Sequence, residues 1–501
     1  MADKKEHTIR EGLEDKYEYV TPIPSLNLPE LEEVKCIKPK DNDYELYFYV
    51  RPVSRRDQAC PVCGSRNYYG DGVSKDRLVS DISIGLKRVF LQTEVPRYKC
   101  QDCNRKFSHN FESIIPNAQF TVRLYEQIQR RAFLEPFKSI ADEYGISIPT
   151  VSGIVQECGK KLDEAHPLVA PRVLGIDEKH IEHKMRAVYV DIENGILLEM
   201  SPDNRGETVK KVIMSMDGWE NIEVVTTDMA QGYRPVIEEV LPNAKLVVDK
   251  YHVVQQLSVA TKKTRTLLTE LSHDEVAAMP AGEEKRLRDE VLRRAGKDSY
   301  LFKFNEGNVM GNPSRKSLMA DLCFHFPNFN MLRLLKDGFM RVYACEGREE
   351  AEEAYQEWEK ILCKADPKIF SEFYRFGRTV RNWHNEIFQY FEPGFKYTNA
   401  ASEGLNSLLQ AINSQGRGYS FDVLRLKALY RKEAALPSRT ITKRTTVFHK
   451  GGKTKPILPG GMTETFLPRG DWEEVIEKTL TITPRGADLE KLLSAIEESG
   501  L

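Results

Sequence analysis

Three acidic residues stand where metal-assisted phosphate chemistry would need them. Asp177 closes the apolar run VLGID, Asp228 closes EVVTTD, and Glu403 lies in TNAASEGLNSLLQAI. Carboxylates are hard oxygen ligands of the kind Mg2+ or Mn2+ prefers, and two such ions can clamp the attacking and leaving oxygens of a phosphodiester. Asp177 and Asp228 are 51 residues apart, which suits a strand meander plus one crossover helix. Asp228 and Glu403 are 175 apart. That is too long for a loop, so a further domain must lie between them. Glu403 belongs to a helix. At about 100° per residue, Leu405, Leu408, Leu409 and Ile412 share one side, and Glu403, Asn406, Ser407, Gln410 and Ser414 the other.

A second constellation is made of sulfur. Cys60-Pro-Val-Cys63-Gly64 and Cys100-Gln-Asp-Cys103 are separated by 36 residues. A CxxC turn lets two thiolates face one ion, and two such turns complete the tetrahedral four-cysteine set of structural Zn2+. RLVSDI and KRVFLQTEVPRYKC between them read as strands of a ribbon with zinc at its base. Arg55, Arg56, Lys87, Arg88 and Lys106 of this segment are candidate phosphate contacts. The other five cysteines are scattered singly and read as buried or idle thiols of a reducing compartment.

The elements that must position these groups follow in order. Thr121 caps a helix through about Phe133, and FKSIADEYGISIPTVSGIVQE then gives helix, glycine turn and helix. Ser147 is the N-cap of the second helix and Pro149 sits in its first turn, the spacing of a helix-turn-helix. Its outward residues Pro149, Thr150, Ser152 and Gln156 are the candidate DNA readers. After HPLVAPR, the strands RVLGID, RAVYVDIE and GILLEM, a helix, IEVVTTD, a helix and AKLVVD succeed one another. This β-β-β-α-β-α-β order is that of a ribonuclease-H-like sheet, in which the first and fourth strands are neighbours. Asp177 and Asp228 then meet near adjacent strand ends. Asp249 closes the fifth strand in DKYH and can orient the site, pair with His252 or simply end the strand. Trp383 lies on an apolar helix face, so its default is core packing.

These motifs together resemble a known family, the ISL3 group of bacterial insertion-sequence DDE transposases with an N-terminal zinc ribbon. The resemblance spans roughly residues 55–435. It is carried by CPVCG with YKCQDC, ADEYGISIPTVSGIV, LGIDEKH, TTDMAQGY with VVDKYHVVQ, and TNAASEGLNSLLQAINSQGRGY with FDVLRLKALY. It implies that Asp177, Asp228 and Glu403 are the metal-binding triad, and that Asp249 and His252 form an accessory motif. It implies DNA partners, namely terminal inverted repeats and target, and a homodimer or higher oligomer that joins two element ends. The alternatives are a DNA-binding regulator derived from such an enzyme and a structure-selective nuclease on the same fold. Metal-dependent cleavage of end DNA separates them.

The expected architecture is multidomain α+β. It comprises an acidic segment (1–54), a four-cysteine zinc ribbon (55–110), a helix-turn-helix domain (111–165) and a ribonuclease-H-like α/β domain (172–250 and 398–435). An all-helical insertion (251–397) interrupts that domain, and a basic extension (436–501) follows it. Composition agrees with local rather than global nucleic-acid character. The net charge is −2, yet residues 51–135 hold 15 Lys/Arg against 9 Asp/Glu and residues 431–455 hold 8 against 1. No run is apolar enough for a membrane span, and the first residues lack a secretory core, so a cytoplasmic, DNA-associated protein is expected.

Overall fold

In a computed structural model the chain divides into two units, Met1–Ala165 with Ala411–Lys432, and His166–Gln410 with Glu433–Leu501. The described residues are 16–53, 58–74, 77–116, 118–230, 232–298, 301–302, 312–397, 405–416, 418–432, 435–437, 439–450, 453–456 and 472–498, with backbone alone over 439–480.

The first unit contains two sheets and a helical group. β1 (Tyr17–Tyr19), β2 (Leu31–Pro39) and β3 (Glu45–Pro52) combine with β5 (Arg77–Ile84) and β6 (Lys87–Thr93) in the order β1-β2-β3-β6-β5. Leu46, Phe48 and Val50 alternate along β3 and face inward, as the period of a half-buried strand requires. β3 pairs in parallel with β6, and Val89 and Leu91 complete this core. The acidic N-terminal segment is therefore not separate. Its strands take up the two apolar strands that the sequence reading placed at the zinc. A different, three-stranded sheet carries the cysteines: β4 (Tyr68–Val73), β7 (Pro96–Cys100) and β8 (Lys106–Ser108), in the order β4-β7-β8.

Three helices follow: α1 (Val122–Ala132), α2 (Phe137–Tyr144) and α3 (Ile148–Ala165). The Thr121 hydroxyl accepts from Leu124 N–H and caps α1. α2 stops at Gly145, which adopts φ +65°. The Ser147 hydroxyl accepts from Thr150 N–H at 3.2 Å at the start of α3. Leu124, Ile128, Ile140, Val151 and Ile154 are buried. Residues 398–435 are expected from the sequence to be the second part of the catalytic domain, but the structure groups 411–432 with this helical unit. The contacts of α14 (Phe421–Leu429) supply the reason. Gly159 of α3 lets it close in, since a Cβ there would meet Leu426 Cδ1 at 2.3 Å. Arg425 grips Asp163 through two bonds of 2.9 and 3.1 Å.

The second unit is built on a six-stranded sheet. β9 (Val173–Ile181), β10 (Lys184–Asp191), β11 (Ile196–Met200), β12 (Val224–Thr227), β13 (Lys245–Val248) and β17 (Ala487–Asp488) lie in the order β13-β12-β9-β10-β11-β17. β9, β12 and β13 are parallel, and β10 and β11 run antiparallel along the sheet. α4 (Gly206–Met214) and α5 (Tyr233–Val240) pack Val209, Ile213, Tyr233 and Ile237 against Leu174, Ile176 and Tyr189. On the other face Val173, Val224 and Val247 meet Tyr390, Phe395 and Tyr397.

After β13 the described residues up to 397 are helices and turns. These are α6 (Lys250–Ala278), α7 (Glu283–Lys297), α8 (Pro313–His325), α9 (Pro327–Val342), α10 (Arg348–Leu362), α11 (Ser371–Asn382) and α12 (His384–Phe388), then a 3-10 turn at Gln389–Phe391. Their core is aromatic and centres on Trp358, whose Nε1 donates to Leu335 O at 2.7 Å. The two ends of the lobe return to one place. Val248, Val253 and Leu257 share a core with Ile387, Phe388 and Phe391, and the Lys250 ammonium lies 6.0 Å from the Tyr390 ring. α13 (Leu405–Gly416) follows. Then come β14 (Arg439–Lys450), β15 (Lys453–Pro456) and β16 (Trp472–Ile482), and α15 (Leu489–Glu498) follows β17.

Candidate functional site

Strand register brings the acids together. In the parallel ladders Ile176 is opposite Thr227, and Thr227 is opposite Val248. The next residues along the three strands, Asp177, Asp228 and Asp249, therefore stand in a row at one level. β12 and β13 end there, whereas β9 continues to Ile181. The Asp228 carboxylate accepts from Ala230 N–H at 3.0 Å, which folds the chain back after β12. Asp249 is buried; its N–H donates to Thr227 O, and its carboxylate accepts from Tyr251 N–H to cap α6. That cap sets His252 in the first turn of the helix, with Nε2 3.5 Å from Asp177 Oδ1.

Asp177 and Asp228 are electrostatically unlike. Burial would push Asp177 up, but His252 and the Lys179 ammonium, 2.7 Å from Oδ2, hold it down at about 2. Asp228 is pushed up to about 6, first by burial and then by the Glu178 carboxylate, with Asp177 adding to the repulsion. Glu178 itself accepts from Asn204 Nδ2 at 2.9 Å. Hard oxygens crowded until one of them resists ionising are a donor set that fits a divalent cation. Glu403 lies outside the described residues. α13, which begins at Leu405, is amphipathic as expected, with Leu405, Leu408, Leu409 and Ile412 buried and Ser407 and Gln410 exposed.

Glu178 reads from the sequence as an acid that faces solvent or flanks the site, whereas Lys179 carries no such expectation. The signal for Lys179 was present, because residues i and i+2 of a strand share a face.

The sulfur constellation forms one cluster. The Sγ atoms of Cys60, Cys63, Cys100 and Cys103 all lie within 4.8 Å of one another, with Cys60–Cys103 and Cys63–Cys100 at 3.6 Å. Four thiolates about 2.3 Å from a tetrahedral zinc are about 3.8 Å apart, so the set fits Zn2+. The two turns are built alike. Cys60 N–H donates to Ser65 O at 2.8 Å, and Cys100 N–H to Arg105 O at 2.9 Å. The residue after each pair is left-handed: Gly64 at φ +74° and Asn104 at φ +56°. Glycine and asparagine are the residues that tolerate this region. Asp102 ties the turns together by accepting from Ser65 and from Asn67.

The candidate DNA readers on α3 are accessible to different degrees. Pro149 and Gln156 are exposed and Thr150 and Ser152 half-buried. Among the basic candidates, Lys87 is half-buried and Lys106 pairs with Asp71 at 2.8 Å. Arg88 donates to the carbonyls of Asp142 and Glu143, so it holds the end of α2. Arg55 and Arg56 lie outside the described residues. Trp383 is 5% exposed, and the Arg234 guanidinium covers its ring at 3.9 Å, so core packing is its observed role.

Two family models match. One, described as a transposase of the ISL3 type, covers residues 174–428. The other, described as the zinc-finger of transposase IS204/IS1001/IS1096/IS1165, covers residues 56–103. No curated protein matches the chain.

Proposed function

Because the chain belongs to the ISL3 family of insertion-sequence transposases, we propose that it cuts the ends of its element at a ribonuclease-H-like site and joins them to target DNA. The observation that carries this reading is the aspartate row, with Asp177 and Asp228 at one level of adjacent parallel strands. Asp177, Asp228 and Glu403 would hold the metal. Divalent ions bound there would lower the pKa of the attacking water and neutralise charge on the phosphate. Water would first displace the flanking strand, leaving a 3′-hydroxyl on the element end. That hydroxyl would then attack a target phosphodiester, and a target 3′-oxygen would leave. His252 and the Asp249 cap would hold Asp177 in place.

Recognition of the terminal inverted repeats is assigned to the zinc ribbon and to α2–α3 acting as a helix-turn-helix. Pro149, Thr150, Ser152 and Gln156 would face the groove. Arg55, Arg56, Lys87 and Lys106 would meet phosphates, and Arg88 would act by fixing α2. Zn2+ would hold the ribbon and Mg2+ or Mn2+ would serve the reaction. Joining two ends calls for at least two chains. No described helix is long and apolar enough to cross a membrane.

The test uses Asp177→Asn, Asp228→Asn and Glu403→Gln. Each should abolish cleavage of end DNA in Mg2+ and leave gel-shift binding of the same DNA intact. Wild-type cleavage by any of the three removes that residue from the triad. Undiminished cleavage by both aspartate variants sinks the reading.

A further inference from the structure

β9 carries a cation into the site. Lys179 is two residues beyond Asp177 on one strand, so both side chains leave the same face. Its ammonium lies 2.7 Å from Asp177 Oδ2, and the two side chains are only 11% and 3% exposed. The other oxygen of Asp177 has His252 Nε2 at 3.5 Å. Both oxygens of the carboxylate thus have a nitrogen beside them. A divalent ion bound to Asp177 needs one of those oxygens. An ammonium held against the same oxygen in a poorly hydrated site would repel it.

The neighbouring strand places a second cation beside the lysine. Lys179 is directly opposite Arg186 on β10. Like charges facing each other across a ladder are unfavourable unless each finds an acceptor. Arg186 is buried and donates to the carbonyls of Ile181 and Pro202. It is fixed in the sheet, whereas Lys179 reaches its carboxylate on a flexible four-carbon stem.

We propose that Lys179 is a displaceable counter-ion. It occupies Asp177 Oδ2 until a divalent ion takes that oxygen, and the released ammonium then pairs with the phosphodiester that the substrate brings to the same face of β9. Premature metal binding is thereby opposed, and the charge is reused on the substrate. The inference rests on the metal-site reading proposed above.

The experiment is a Mn2+ titration of the full-length protein by calorimetry, without DNA, for wild type, Lys179→Met and Asp177→Asn. It is paired with single-turnover cleavage of end DNA. Lys179→Met should bind Mn2+ on the order of tenfold more tightly, since one buried like-charge contact is gone. It should nevertheless cleave about 100-fold more slowly, because a preorganised cation on the phosphate is lost. Lys179→Arg, which keeps the charge, should recover most of the cleavage without the tighter Mn2+ binding. Opposite signs in the two measurements are what a merely structural role would not give. Mn2+ affinity equal to or weaker than wild type in Lys179→Met overturns the proposal. If Lys179→Met does not fold, Lys179→Gln removes the same charge and decides the same question. Should Asp177→Asn bind Mn2+ as wild type does, the metal-site reading itself fails, a result distinct from failure of the lysine's role.

Discussion

A buried lysine shows how one residue can govern a domain. Lys427 of α14 is 1% exposed, and its ammonium donates to Ala132 O at 2.6 Å and Glu135 O at 3.0 Å. Ala132 ends α1, so the cation sits where a helix collects negative partial charge. The rings of Phe137 and Tyr419 lie 5.1 and 4.9 Å from the nitrogen. Burial, followed by repulsion from Arg431, lowers Lys427 to about 7. An amine whose pKa is lower folded than unfolded binds fewer protons in the folded state between those two values. Stability must therefore rise with pH through that window, from about 7 toward the ordinary lysine value near 10. Denaturation of the first unit at pH 7 and pH 9 should show this gain. Lys427→Met should remove the slope, and Lys427→Ala should cost about 1–3 kcal/mol by leaving two carbonyls without their donor. A slope that survives Lys427→Met assigns it to another group.

Two predictions concern elements. At the crossing of α3 and α14, alanine in place of Gly159 would gain about 1 kcal/mol of helix propensity. Its Cβ would also press into Leu426 Cδ1 at 2.3 Å and Cγ at 2.9 Å, and Leu426 is buried. Overpacking of this kind costs about 1–3 kcal/mol and should win. Gly159→Ala is expected to be destabilised in chemical denaturation, and Leu426→Ala in the same chain should relieve part of the loss. The zinc knuckles give the second. Among the described residues, β4, β7 and β8 pack Tyr68, Tyr98 and Phe107 against one another, whereas β1-β2-β3-β6-β5 has a larger apolar core of its own. Chelation of zinc, or Cys60→Ser, should open β4-β7-β8 to hydrogen exchange and leave the five-stranded sheet protected. Simultaneous loss of both sheets contradicts this division.

For the molecule as a whole, the last strand belongs to the sheet that carries the aspartates. β17 pairs with β11, Leu489 N–H donates to Gly195 O at 3.0 Å, and Arg485 forms a 2.8 Å ion pair with Glu199. Ala487, Leu489, Leu492 and Ile496 are buried behind it. Removing residues 484–501 would uncover the β11 edge and these apolar contacts. An open edge pairs with other chains, and each lost Leu or Ile forfeits roughly 1.5–3 kcal/mol. The truncated protein should melt at lower temperature and aggregate, as light scattering during a thermal ramp would show. An unchanged melting temperature would make the strap dispensable.

The sequence by itself determined whatever depends on local spacing. The CxxC pairs, the caps at Thr121 and Ser147, the left-handed turn at Gly145, the strand order and the buried stripe of α13 were all legible, because each is a pattern of neighbours along the chain. Strand order also placed Asp177 beside Asp228, since consecutive α/β elements admit few sheet topologies. Long-range pairing was not legible. Nothing local says that β3 will pair with β6 across the first zinc knuckle, that α14 will leave the sheet for α3, or that β17 will return to β11. Those choices are made by which apolar faces remain uncovered once the nearer elements have paired, and that is a property of the assembled chain. The same holds for charge. Lys179 reads as one more polar residue in LGIDEKH until the pleat turns it onto Asp177, and Arg88 reads as a phosphate contact until the fold brings the carbonyls of α2 to it.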